Sequence, residues 1–430
     1  MDIKIFKTES IKGTISAPPS KSYTHRAIFM ASIANGTSII RNPLISGDTN
    51  ASIEACRAFG AQIKINNSSL KIDGLFPFKQ TKNLIDVQNS GTTLRIITPL
   101  ASLIPGKTTI TGDKSILKRP MGPLIDSLLQ LGVNIYSEKN NSRPPIIVNG
   151  PSLSGGITTI PGNISSQFIT GLLIATPLAI NDTTIVIKPP IISKPYILIT
   201  LEYLELYNIS IKYQPDLSKF YIKGRQTYSP TTFSIPGDFS SASFILALAA
   251  ITNSTVTINN LDPNSFQGDK QILDILKTMG CKLKIDSKNK SVTFLNSNSL
   301  SGIDLNMSNI PDLFPVVCAV ASFAAGKTRL YGAQHLKFKE SNRITSIVSE
   351  LSKLNINIRE LSDGAEIIGP NKLIPHNNLN TYNDHRIAMI LAILATQTEQ
   401  MIIPNIELAE ISYPNFLNHL KTLGVNFEVA

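Results

Sequence analysis

Six times along the chain an apolar helix tail runs into a Gly or Asn and then into an alternating strand. The six phrases are FGAQIKI (59–65), LGVNIYS (131–137), YNISIKY (207–213), MGCKLKI (279–285), LNINIRE (354–360) and LGVNFEV (423–429). Their Gly or Asn positions, 60, 132, 208, 280, 355 and 424, step by 72, 76, 72, 75 and 69 residues. A repeat of this length restricts the fold more than any other feature, because each copy must be one supersecondary unit packed against its siblings. Gly or Asn at the break suits a left-handed helix end that turns into a strand.

Two further phrases recur in each copy. A small-residue turn feeds a strand at GTSII (36–40), GKTTI (106–110), NDTTIVI (181–187), STVTI (254–258), GKTRL (326–330) and EQMII (399–403). A polar turn opens an apolar helix at PPSKSYTHRA, NSGTTLRI, PGNISSQFITGLL, PGDFSSASFILALAA, NIPDLFPVVCAVA and NDHRIAMILAIL, each expected to follow a strand. One copy therefore reads strand–helix–strand–helix–strand. Three copies per domain give two α/β domains, the size expected when 430 residues exceed what one core can organise. Helices as apolar as FILALAA and PVVCAVASFAA are expected inside, with the sheets outside.

The formal net charge of +10 admits nucleic acid, acidic membranes or small polyanions as partners. The basic residues are dispersed and Trp is absent, which disfavours a nucleic-acid groove. The longest charge-free stretches carry Pro, Gly, Ser and Asn, unlike a membrane span. No leader character is visible at the N-terminus, so a cytoplasmic protein is expected. Three cysteines, Cys56, Cys281 and Cys318, fall in helix or helix-end phrases and form no CxxC, and the five histidines form no metal-ligand pair.

GKT at 106–108 and 326–328 imitates a phosphate-binding loop, yet both precede a strand and lack the upstream Gly. The helix openings are better candidates. SKSYTHR puts Lys21, Ser22 and Arg26 in the first turns of a helix, where free amides and the dipole favour anions. NSGTTLR (Asn89, Gly91, Thr92), SSQ (Ser165, Ser166, Gln167) and NDHR (Asp384, His385, Arg386) occupy equivalent phases of the repeat. Asp312 in PDLFP and Glu340 in KFKESNR add carboxylates suited to a general base and acid, although Asp312 could equally be a helix cap.

PPSKSYTHR, NSGTTLR, KRPMGPL, SSQF, SKPYI, PDLFP, KESNRI and YNDHRIAM, in this order along the chain, resemble the 5-enolpyruvylshikimate-3-phosphate (EPSP) synthase family. The resemblance implies two domains of three βαβαββ units with helices inside, residues 20–235 as one and 1–19 with 236–430 as the other. Their cleft would hold the active site. It implies transfer of the enolpyruvyl group of phosphoenolpyruvate to the 5-hydroxyl of shikimate 3-phosphate, with no metal or organic cofactor. A monomer acting on these small molecules alone is expected, with no nucleic-acid or membrane partner.

The same resemblance assigns Lys21, Ser22, Arg26, Ser165, Ser166, Gln167, Ser193, Asp312, His335 and Lys339 to shikimate 3-phosphate. It assigns Lys21, Gly91, Arg119, Gln167, Arg343 and Arg386 to phosphoenolpyruvate. Asp312, Glu340 and Lys21 would be catalytic. Space beside Gly91 implies competition by glyphosate. Ile411 departs from the family, which usually places Lys before its Ser-aromatic-Pro, and weaker phosphoenolpyruvate binding is expected. The related UDP-N-acetylglucosamine enolpyruvyl transferases usually carry a reactive Cys in the loop corresponding to 113–120, which here has none.

Overall fold

A computed structural model describes residues 1–79, 81–252, 254–297 and 299–430. The chain forms two compact units, Pro19–Ile235 and Met1–Pro18 with Pro236–Ala430. Each has its own continuous apolar core.

The 19–235 unit contains helices α1 (Lys21–Ile33), α2 (Gly47–Ala58), α3 (Gly91–Ala101), α4 (Gly122–Gln130), α5 (Ser166–Ala175) and α6 (Lys194–Leu206). The other unit contains α7 (Phe239–Ile251), α8 (Ile272–Thr278), α9 (Phe314–Ala321), α10 (Arg343–Lys353), α11 (His385–Ala395) and α12 (Phe416–Thr422). The first helix of each copy lies deep in its core: every residue of α9 and α11 is buried, as is every residue of α7 up to Ala250. The second helices are amphipathic, with Ile344, Ile347 and Leu351 forming the buried stripe of α10 at helical spacing. Strands alternate, as in Gly326–Tyr331, where Thr328 and Leu330 face inward.

Copy two shows the regular sheet. Strand 84–86 pairs in parallel with 106–111, which pairs antiparallel with 146–150, whose other neighbour is 134–137. The closing hairpin adds a sixth element to the five that periodicity alone discloses. All six Gly or Asn breaks have positive φ, from 62° at Asn208 to 104° at Gly280. That explains their identity, since other L-residues are strained there.

Two features depart from simple repetition. The strand before α1 (12–16) pairs with 255–259 of copy four, and the strand before α7 (232–234) pairs with copy one at 39–41. The two copies exchange their first strands where the chain passes between units. The sixth copy has no strand before α11, contrary to the expectation from its phrase, and its sheet is closed by residues 3–6. These lie between 400–403 and 427–429. Cys281 opens a strand rather than ending a helix, and all three thiols are buried. Among the described residues no helix is long and apolar enough to cross a membrane.

Candidate active site

In the 19–235 unit the helix starts carry Ser caps: Ser20 before α1, Ser90 before α3, Ser165 before α5 and Ser193 before α6. Ser165 and Ser90 accept from amides of their own first turns, Gln167 N and Thr93 N, both at 3.3 Å. A neutral cap satisfies an amide without adding negative charge where an anion is to bind. Ser193 is buried with φ +53°, a conformation that costs a non-glycine residue about 1 kcal/mol or more and is concentrated at ligand sites. Ser166 is buried in the first turn of α5.

Lys21 opens α1, and its Nζ lies 3.0 Å from Asp48 Oδ2 at the start of α2. One turn on, Arg26 is buried and donates four hydrogen bonds. Nε reaches Thr200 Oγ1 at 2.9 Å, Nη1 the Ser22 carbonyl at 2.8 Å, and Nη2 Thr170 Oγ1 at 3.1 Å and the Tyr196 carbonyl at 2.8 Å. Every acceptor is neutral. Burial pushes the guanidinium pKa down to about 10, still charged at neutral pH. Arg26 thereby ties α1 to α5 and α6.

Gln167 bridges α5 and α3. Its Nε2 donates to Thr92 Oγ1 at 2.9 Å, and its Oε1 accepts from Arg95 Nη1. A methyl group placed on Gly91 would sit 3.4 Å from Arg119 Nη1 and 3.6 Å from Arg95 Nη1. Gly91, Arg119 and Gln167 therefore meet, together with Arg95, which sequence reasoning named only as part of a motif.

The other unit gathers its residues around Arg343, which is 1% exposed. Its Nε and Nη2 donate to the two oxygens of Asp384 at 2.9 and 3.1 Å, Nη2 also to Glu340 Oε2 at 2.7 Å, and Nη1 to Asp312 Oδ1 at 3.1 Å. Burial disfavours this charge, but Asp384, then Glu340 and Asp312, outweigh it and raise the pKa above its ordinary value. Asp312 also lies 3.3 Å from Arg386 Nη2 and 3.9 Å from Lys339 Nζ. It occupies a 3₁₀ turn, Pro311–Leu313, one residue ahead of the α9 cap position at Leu313, so it does not cap that helix.

His335 sits in the 3₁₀ segment Gln334–Phe338 with Nε2 buried and without a hydrogen-bond partner. Burial first, then Lys339, pushes its pKa down to about 3, so the ring is neutral. Asp384 was legible as the polar opening of α11, but its grip on Arg343 was not. Asp48 was also missed. Its Gly-Asp pair recurs as Gly268-Asp269 in copy four, a signal internal comparison of the repeats could have raised. Ile411 ends the 3₁₀ segment Ile406–Ile411 and is half-buried.

The profile of EPSP synthase (3-phosphoshikimate 1-carboxyvinyltransferase) matches residues 5–420. The chain belongs to the EPSP synthase family. It is 42% identical to the 3-phosphoshikimate 1-carboxyvinyltransferase of Methanococcus maripaludis (strain C7) over 427 residues, 98% of this chain and 99% of the relative. It is 43% identical to the protein of the same name from Methanocaldococcus jannaschii, covering 98% of each. The structure of EPSP synthase from Acinetobacter baumannii superposes with a TM-score of 0.85 at 26% identity, covering 100% of this chain and 99% of that one. The α/β architecture of six βαβαββ-type copies is thus the fold of this family.

Proposed function

We propose that this protein transfers the enolpyruvyl group of phosphoenolpyruvate to the 5-hydroxyl of shikimate 3-phosphate, releasing phosphate. The observation that carries the reading is the cluster of Asp312, Glu340 and Asp384 around Arg343. It supplies carboxylates for proton transfer beside cations for an anionic donor, in a chain whose family carries out this transfer. Two polyanions repel one another, and cations must offset that repulsion before they can react.

In this reading Arg26 takes the shikimate carboxylate, and Ser165, Ser166 and Ser193 hold its phosphate. Ser22, Gln167, His335 and Lys339 complete the pocket. Phosphoenolpyruvate is held by Lys21, Gly91, Arg119, Gln167, Arg343 and Arg386, the arginines pairing with its phosphate and carboxylate in two-pronged fashion. Asp312 accepts the proton of the 5-hydroxyl as that oxygen attacks C2 of phosphoenolpyruvate. Glu340, with Lys21, delivers a proton to the methylene carbon, giving a tetrahedral intermediate. Loss of a proton from the new methyl group then expels phosphate and restores the enol ether.

The test is phosphate release from purified protein with both substrates, against controls lacking either. Release only with both is expected. No release at saturating substrates overturns the assignment. Release with UDP-N-acetylglucosamine in place of shikimate 3-phosphate would shift it to the related transferases.

A further inference from the structure

Beneath Lys21 and Gly91 runs a chain of polar side chains that no substrate contact explains. His25 Nδ1 lies 2.8 Å from Ser52 Oγ, which lies 2.7 Å from Thr93 Oγ1. Thr93 Oγ1 in turn donates to Ser90 Oγ at 2.7 Å. All four residues are at most 1% exposed. They come from α1, α2, α3 and the α3 cap, the elements that carry Lys21, Asp48 and Gly91. Thr93 Oγ1 also lies 3.5 Å from the carbonyl of Asp48, the partner of Lys21.

The chain has a direction. Thr93 owns one hydroxyl hydrogen, and it is used on Ser90 or on the Asp48 carbonyl. The 2.7 Å contact with Ser52 therefore requires Ser52 to donate. Ser52 must then accept from His25, so Nδ1 carries the hydrogen and Nε2 is bare. The observation that Nε2 is buried without a hydrogen-bond partner agrees, because a second N–H there would be an unpaired donor beside Lys21 and Arg26. Burial, then those two cations, pushes the His25 pKa well below its ordinary value.

Hydroxyls in a core often do no more than satisfy one another. Here the chain ends on a helix cap that accepts both Thr93 N and Thr93 Oγ1. In the other unit the starts of α7 and α11 are capped by carboxylates, Asp238 and Asp384. Ser90 does the same work with a neutral hydroxyl, a weaker acceptor than a carboxylate.

We propose that His25, Ser52 and Thr93 are positioning residues, a one-directional hydrogen-bond relay that holds the start of α3 at Gly91 in register with the Lys21–Asp48 pair. The inference rests on the reading that Lys21 and Gly91 receive the phosphoenolpyruvate anion together. A misplaced α3 start moves Gly91 and leaves the proton-transfer groups Lys21, Asp312 and Glu340 where they are, so it weakens that anion's binding more than the chemistry.

Thr93→Val keeps the side-chain shape and removes the hydroxyl. We expect the KM for phosphoenolpyruvate to rise about tenfold, the worth of one lost buried hydrogen bond. The kcat and the KM for shikimate 3-phosphate should move less than about threefold, and Thr93→Ser should restore the wild-type KM. In ¹⁵N spectra, His25 (identified by its loss in His25→Asn) should show a protonated Nδ1 in the wild type. Ser52→Ala should raise the same KM if the Val variant does not fold. Unchanged KM values, an equal loss in kcat and both KM values, or an Nε2–H ring in the wild type would overturn the relay. Absence of any transfer by the wild type sinks the functional reading instead, and the tautomer measurement still decides whether the relay exists.

Discussion

Arg26 and Arg343 are both buried guanidinium groups, one in each unit, and their surroundings are opposite. Arg26 is held by three neutral side-chain and backbone acceptors on α5 and α6 and one carbonyl on its own helix. Arg343 is held by three carboxylates. A cation removed from water without a counter-ion is costly, and four hydrogen bonds offset only part of that cost. In the proposed reading the shikimate carboxylate supplies the rest, so Arg26 stores a demand for an anion. Arg343 has already been neutralised. It fixes Asp312, Glu340 and Asp384 in place, and in the proposed reading the phosphoenolpyruvate anion must compete there with carboxylates already bound. One guanidinium is placed to attract an anion, the other to hold carboxylates in place.

The largest test of this contrast lies in the second unit. Asp312→Asn keeps the shape and removes the base, and kcat should fall by about 10²- to 10⁴-fold with both KM values within a few-fold of wild type. A rise in KM with kcat intact would show that Asp312 binds rather than reacts. Next comes Arg26→Lys, which keeps the charge but cannot reproduce four directed bonds. The KM for shikimate 3-phosphate should rise about 10- to 100-fold and kcat much less, as expected for loss of charge-assisted hydrogen bonds. Steady-state kinetics with each substrate varied separates the two patterns.

Stability against pH gives a smaller effect. His335 is neutral when folded, with its pKa pushed from 6.5 down to about 3. Above pH 6.5 neither state binds the proton. Below it the unfolded chain does and the folded one does not. His335 therefore lowers stability as pH falls from 6.5 toward 3, by about 1.4 kcal/mol per pH unit. Asp269 acts in the opposite sense, since burial, then Asp312, pushes its pKa up to about 7. The informative quantity is the difference between wild type and His335→Asn in urea unfolding at pH 7 and pH 5. The variant should lose less stability. The smallest effect is expected from Ile411→Lys, which should lower the KM for phosphoenolpyruvate a few-fold. No change in that KM would sink the idea that Ile411 weakens phosphoenolpyruvate binding.

The helix-to-strand breaks could be read from residues because positive φ selects Gly and Asn locally, at 60, 132, 208, 280, 355 and 424 alike. The openings with Lys21, Arg26 and Gln167 were legible for the same reason: a helix start is a local event with local chemistry. What stayed hidden depends on residues far apart in the chain. Asp384 meets Arg343 across 41 residues, and Arg26 meets Thr200 across 174. Nothing in either local phrase announces its partner. The missing strand before α11 was misread because NNLNTY follows the repeat in position but lacks the alternating apolar residues that hold a strand in a sheet.

The exchanged strands also order events in time. Every strand of the three sheets in the 19–235 unit lies within that segment, so this half can close before the rest of the chain exists. Residues 3–6 and 12–16, made earlier than that segment, have no partners until 255–259, 400–403 and 427–429 have been synthesised. Residues 3–6 form the middle strand of their sheet, so without them the two strands of the final copy have nothing to pair with. The second unit is thus completed only when its last strands return to residues made before the first unit began.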